Sequence, residues 1–169
     1  MKINLGQVSS PMGLVHYAVS ASGALAISAP GQKRGDFLGT LGRLGIRESE
    51  CIPDNEGLYG VGEQLCKYLS GQLREFTFPL SYTGTPFQMQ VWRALQDIPY
   101  GETRSYGDIA RAIYNPKAVR AVGGANGANP LALAIPCHRV IATGGGLGGF
   151  AGGLECKHFL LELERGASR

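Results

Sequence analysis

The chain has 169 residues, 44 % of them hydrophobic, with 26 glycines and a net charge of +3, enough apolar sequence for one domain or two small ones without a metal or disulfide. It contains no 18-residue apolar stretch and no N-terminal signal pattern, so neither a membrane span nor secretion is expected and the protein reads as cytoplasmic. The cysteines at 51, 66, 137 and 156 lie too far apart for a zinc knuckle or redox pair. Cys66 and Cys156, on apolar helical faces, read as buried small hydrophobes in a reducing compartment.

In chain order, "LVHYAVSASGALAIS" alternates on either side of Ser22-Gly23, which predicts a hairpin. Leu58, Val61, Leu65, Cys66 and Leu69 follow helical spacing that Gly71 stops, and Phe76, Phe78, Leu80 and Tyr82 alternate as a strand. This part gathers no catalytic residue types and reads as scaffold. A boundary near Thr83-Gly84 divides an α/β segment, 1–83, from a mainly helical one, 84–169.

Beyond the boundary, Thr85 can cap a helix with Pro86 at its first position and Phe87, Val91, Leu95 and Ile98 on one face; Pro99 and Gly101 end it. Ser105 to Asp108 fits a capping box for a short helix through Ile109 and Ile113. Asn115-Pro116 is expected to cap another, with Val119 and Val122 as its apolar side. Two short helices joined by a tight turn on a basic segment resemble a helix-turn-helix. The second carries Arg120 among Ala118, Ala121, Gly123 and Gly124, small enough for close approach to DNA; small residues equally let helices pack together. Residues 1–83 hold seven basic and seven acidic side chains, so the whole positive excess lies in the second half. Nothing between Asp108 and Glu155 is acidic, while Arg111, Lys117, Arg120 and Arg139 are basic, a pattern that suits a phosphate-bearing partner.

The stretch "IPCHRVIATGGGLGGFAGG", residues 135–153, carries the chemistry. Cys137 has no cysteine partner, so it needs a base, cation or helix terminus to form a thiolate, and His138 and Arg139 supply both types. If the segment is extended, adjacent side chains point apart and His138 acts through a water. Gly144, Gly146 and Gly149 match a dinucleotide-binding pattern, but the repeated strand–helix series is missing and Glu155 and Glu162 follow too closely. A flexible loop whose backbone N–H groups approach a planar ligand fits better.

Taken together, "IPYGETRSYGDIARAI", "NPKAVRAVGGANGANPLALAIPCHRVI" and "GGFAGGLECKHFLLELE" resemble the O6-alkylguanine-DNA alkyltransferases, closely over residues 85–165 and loosely over 1–82. The resemblance implies a two-domain α/β protein. Its first domain is a small antiparallel sheet with a helix, ribonuclease-H-like; its second is mainly helical with a helix-turn-helix. The implied function is direct-reversal DNA repair, in which an alkyl group moves irreversibly from O6-alkylguanine, with O4-alkylthymine as a second substrate class, to Cys137 after base flipping. His138 would activate Cys137 through water, Glu164 would orient His138, Asn129 would sit at a hinge, and Tyr106 would donate to guanine N3. Arg120 would replace the flipped base, with Lys117, Ala121 and Gly123 also at the DNA. The carbonyls of Cys137 and Val140 and the N–H of Ala151 would read the base in a pocket shared with Phe150 and Gly152. Double-stranded DNA carrying the lesion is the implied partner, with no cofactor, metal, membrane or obligate protein partner.

Two departures qualify the match. Phe150 stands where family members often carry a tyrosine, and only His16, Cys51 and Cys66 precede residue 85 as zinc ligands. The competing readings are a non-catalytic alkylated-DNA-binding module, against which Cys137 argues, and a cysteine hydrolase relying on His16 or His158.

Overall fold

The computed structural model of the protein describes residues 1–167 and divides into two compact units, one spanning Met1–Tyr82 and the other beginning at Thr83. The first is an α/β layer structure. Strands β1 (Ile3–Ser10) and β2 (Gly13–Ser20) form a hairpin in continuous register, and β3 (Gly23–Ile27) pairs antiparallel with β2 after a two-residue connection. Strand β4 (Cys51–Pro53) pairs parallel with β1, so the four-stranded sheet, ordered β3-β2-β1-β4, is mixed rather than antiparallel as expected. The parallel pairing follows from the crossover through helix α1 (Arg34–Arg43), which returns the chain to the far edge. Phe37 and Leu41 of α1 pack with Ile3, Ala18, Leu25, Ala26 and Ile46. Helix α2 (Val61–Leu69) buries Val61, Leu65, Tyr68 and Leu69. A side chain at Gly62 of α2 would fall 2.8 Å from the Tyr17 hydroxyl, so that face of β2 lies under α2 while Ala18 joins the α1 core. Residues Val15 to Ser20 are consequently all buried, where the alternation had predicted one covered face.

Two other expectations fail here. Residues 76–82 are not a strand: only Leu80 bridges to Ala24, framed by bonds from Ala24 N to Pro79 O and from Ser81 N to Ala24 O. Pro79 has no N–H to continue such a ladder. Cys66 is exposed, because it lies one residue past Leu65 and off the buried stripe of α2.

The second unit is mainly helical. Helix α3 (Pro86–Gln96) starts as expected: the Thr85 hydroxyl accepts from Gln88 N at 3.1 Å and Gln88 Oε1 accepts from Thr85 N at 3.0 Å. Val91, Trp92 and Leu95 are buried, and Trp92 Nε1 donates to the Ala125 carbonyl at 2.8 Å. A short parallel ladder joins β5 (Arg104–Ser105) to β6 (Val140–Ile141). Helix α4 (Tyr106–Ala112) carries the Ser105–Asp108 capping box, and α5 (Val119–Gly127) packs on α3 and α4. Asn115-Pro116 forms a turn rather than a cap: Asn115 O accepts from Ala118 N, and α5 begins at Val119 without a side-chain cap. Val119 is 36 % exposed, leaving Val122, Ala125 and Asn126 as the buried side of α5. Helix α6 (Leu154–Ala167) closes the unit. No described helix is long and apolar enough to cross a membrane.

Candidate active site

The segment between α5 and β6 is held in an irregular but fully bonded path. Asn129 Nδ2 donates to Ile135 O at 2.8 Å and its Oδ1 accepts from Leu131 N at 2.9 Å, so one side chain ties both ends of the loop. Inside it, Leu133 takes a positive φ of 72°, and Ala134 N bonds Ala132 O across it at 2.9 Å. This is a strained three-residue turn for a residue with a Cβ, tolerated because Leu133 is buried at 2 % exposure. The chain then enters a single helical turn over Cys137–Arg139, with Arg139 N bonded to Pro136 O. Cys137 and His138 are therefore neighbours on a turn, not on an extended strand.

Cys137 is buried, and burial pushes its thiol up from the ordinary range; a hydrogen bond from the Asn129 side chain and the positive charge of Lys157 act in the opposite direction. His138 is wholly buried, and its Nε2 lies 2.7 Å from Glu164 Oε2. Desolvation lowers the imidazole's pKa against the pull of Glu164, so it is neutral at pH 7. With Nε2–H donating to the carboxylate, Nδ1 is the basic nitrogen. Glu164, 1 % exposed, also accepts from Arg139 Nε at 2.8 Å and Nη2 at 3.0 Å. Burial works to raise its carboxyl, but these bonds with His138 and Arg139 hold it well below the usual carboxylate range. Its Oε1 further accepts from Gly101 N at 3.2 Å, anchoring α6 to the turn after α3.

Two participants escaped the sequence reading, and a third was placed only in part. Arg139 had been counted both as a local cation for Cys137 and with the phosphate-facing basic side chains; it is buried, forked onto Glu164 and donating Nη1 to Ile98 O at 2.8 Å. Lys157 is fully buried, and its Nζ donates to Val140 O at 2.5 Å and Gly149 O at 3.2 Å, joining β6 to the glycine-rich loop. Desolvation lowers it to about 8, with the charge of Cys137 opposing. Asn126 Nδ2 reaches the Cys137 carbonyl at 3.4 Å from within α5. The helical register of Lys157 and Glu164, seven residues apart on α6, was the available signal: two turns place both on the face that meets the Cys137 turn.

Tyr106, the first residue of α4, is half-buried beside this cluster. Burial raises its phenol, and the nearby Cys137 charge adds to the effect, so it remains a donor. Its ring lies under Gly148, where φ is 71° and a Cβ would sit 3.1 Å from the ring. A Cβ on Gly123 of α5 would lie 4.0 Å from the same ring. Val140 is buried, Phe150 and Gly152 are half-buried and Ala151 is exposed in the loop before α6. Lys117, Arg120 and Ala121 are exposed on and before α5. The structure thus brings Cys137, His138, Glu164, Asn129 and Tyr106 together around one turn. Lys117, Arg120 and Ala121 stand on the outer surface of the same unit. No group of three or more His, Cys, Asp or Glu side chains among the described residues could hold a metal ion.

Residues 86–166 match the family model for the 6-O-methylguanine DNA methyltransferase DNA-binding domain. A methylated-DNA–protein-cysteine methyltransferase of Methanosarcina acetivorans is 44 % identical over 154 residues, covering 89 % of this chain and 98 % of the relative. The inducible enzyme of that name from Bacillus subtilis is 50 % identical over 117 residues, 69 % of this chain and 65 % of the relative. The crystal structure of Mycobacterium tuberculosis OGT in complex with DNA superimposes with a TM-score of 0.83 at 41 % identity, covering 97 % of this chain and 94 % of that one.

Proposed function

The chain belongs to the methylated-DNA–protein-cysteine methyltransferase family, and from that membership we infer a direct-reversal DNA repair protein that takes the alkyl group of O6-alkylguanine onto its own Cys137. The observation that carries this reading is the buried Cys137 on one turn with the buried His138, whose Nε2 lies 2.7 Å from Glu164 Oε2. The proton leaves Sγ for His138 Nδ1 by way of water, and Glu164 and Arg139 stabilise the imidazolium that forms. Sγ then attacks the alkyl carbon: the S–C bond forms, the C–O6 bond breaks, and the electron pair passes to the guanine, which recovers the proton. Charge growing on the ring is met by donors such as the Tyr106 hydroxyl and the Ala151 N–H. No second nucleophile in this cluster hydrolyses the thioether, so each chain acts once.

The target atom lies inside the duplex, so the base has to be flipped out, and Arg120 on the exposed side of α5 is assigned to fill the gap. Lys117, Ala121 and Gly123 accompany it at the DNA, and the capped α4, the turn and the small-residue α5 support a helix-turn-helix reading of this surface. Val140, Phe150, Ala151 and Gly152 form the alkylguanine pocket under the glycine-rich lid. The ribonuclease-H-like description of the first unit, action without a cofactor or obligate protein partner, and a cytoplasmic setting belong to the same reading.

Stoichiometry tests it. With excess O6-methylguanine duplex and no added metal, repair should stop at one methyl per chain, located by peptide mass spectrometry on Cys137. The Cys137→Ser variant should bind the lesion and transfer nothing, since a hydroxyl ionises far less readily than a thiol. Sustained turnover, or methyl on Cys51, Cys66 or Cys156, refutes the assignment.

A further inference from the structure

Three helices of this chain end in the same hydrogen-bonded motif, and one of them ends on the wrong residue. After α1, Gly45 N bonds Gly42 O and Ile46 N bonds Leu41 O; after α2, Gly71 N bonds Tyr68 O and Gln72 N bonds Lys67 O. After α4, Tyr114 N bonds Arg111 O at 3.0 Å and Asn115 N bonds Ala110 O at 2.9 Å. This double closure requires a left-handed residue just beyond the helix, a conformation open to glycine and strained for residues with a Cβ. Gly45 and Gly71 supply it at φ of 77° and 79°; Tyr114 is forced into it at φ of 59°. A strained side chain is usually retained by packing, yet Tyr114 is 95 % exposed, the most exposed of the chain's large hydrophobic residues among those described. The fold alone would be better served by glycine at this position.

We propose that Tyr114 is a contact for the DNA backbone, extending the surface of Lys117 and Arg120 onto the turn between α4 and α5; this rests on the reading that the chain binds duplex DNA. The chain from Tyr114 through Lys117 is exposed throughout, and no acidic residue occurs between Asp108 and Glu155, so the surroundings favour a polyanion. A phenol suits that partner twice: its hydroxyl donates to a phosphate oxygen, and its flat ring packs on a deoxyribose. The exposed residues that follow, Asn115, Pro116 and Lys117, include no large hydrophobic residue, Ile113 before it is half-buried and Val119 only 36 % exposed, so no broad apolar patch surrounds the ring, which argues against a protein-binding surface. The double closure also fixes the direction of the Tyr114 Cα–Cβ bond, so little backbone freedom is lost when the contact forms.

The test is equilibrium binding of a labelled unmodified duplex, followed by fluorescence anisotropy, together with urea unfolding of each protein. Tyr114→Gly and Tyr114→Ala should each weaken duplex binding by about fivefold, the scale of one hydrogen-bonded contact; Tyr114→Phe should fall between them and the parent. Tyr114→Gly should at the same time unfold at higher urea than the parent, so that a binding loss in a more stable protein cannot be a folding defect. Unchanged affinity in the glycine and alanine variants overturns the proposal, as does an altered sedimentation behaviour with duplex affinity retained, which would place the ring against protein. If the parent chain itself fails to bind duplex, the functional reading fails and the proposal falls with it.

Discussion

Replacing Glu164 by glutamine tests the centre of the site most directly, and its effect follows from four hydrogen bonds. The carboxylate accepts from His138 Nε2, Arg139 Nε, Arg139 Nη2 and Gly101 N. Glutamine retains one acceptor oxygen and turns the other position into a donor facing donors. The forked guanidinium of Arg139, 8 % exposed, then loses its counter-charge. Removing one partner of a buried ion pair costs about 3–5 kcal/mol, so the retained oxygen puts Glu164→Gln near the lower end, about 3 kcal/mol. Measured against a domain stability of about 5–15 kcal/mol, the variant folds at low temperature but unfolds at visibly lower urea. His138 loses its upward pull and its fixed tautomer, and alkyl transfer should slow by about 10²-fold, the lower range for general acid–base groups. Duplex affinity should hold, since Glu164 is 1 % exposed and meets no solvent.

The pH dependence gives an independent reading. The folded carboxyl titrates below its ordinary value of 4.5, so its stabilisation is present above that pH and is lost as pH falls below it. Glu164→Gln should lack this part of the acid-side loss. Single-turnover rates on O6-methylguanine duplex and urea midpoints from pH 3 to 7 measure both. An unchanged rate together with an unchanged midpoint would refute the argument, because no merely peripheral carboxylate accepts these bonds.

Three other outcomes are expected. Arg120→Ala should slow repair of duplex DNA by about 10²-fold while reaction with free O6-benzylguanine is spared, since only the duplex requires base extrusion; equal loss on both substrates would remove the flipping role. Lys157→Met should loosen the glycine-rich lid, giving faster amide exchange over residues 143–153 and alkyl transfer about tenfold slower through loss of two charge-assisted bonds. Because burial holds Lys157 down at about 8, below its ordinary 10.5, the buried ammonium is disfavoured relative to a solvated one, so the parent lid should tighten as pH rises through that value, a transition Lys157→Met lacks. Thr85→Ala removes the capping box of α3 and should lower stability by about 1 kcal/mol in urea unfolding without changing the transfer rate.

What the sequence by itself determined was local. The caps at Thr85 and Ser105 were legible because a hydroxyl three residues before a Gln or Asp states its own hydrogen bonds. The hairpin before Gly23, the stop at Gly71 and the Pro-Cys-His-Arg string were equally contained in a few consecutive residues. What depended on distant partners was not. The parallel place of Cys51–Pro53 beside β1 was invisible, because three residues carry no pairing signal until α1 brings the chain across. The apparent strand at 76–82 dissolved for the converse reason: alternation proposes a ladder, and only a neighbouring edge can accept one. At the site, the sequence supplied Cys137, His138 and Glu164 and placed Arg139 beside Cys137, but it also grouped Arg139 with the phosphate-facing cations and passed over Lys157. A basic residue far from any acid in sequence reads as solvated. Only the packing of α6 against the Cys137 turn decides that Arg139 meets a buried carboxylate and that Lys157 meets two backbone carbonyls, since burying a charge is tolerable only where a partner is already in place.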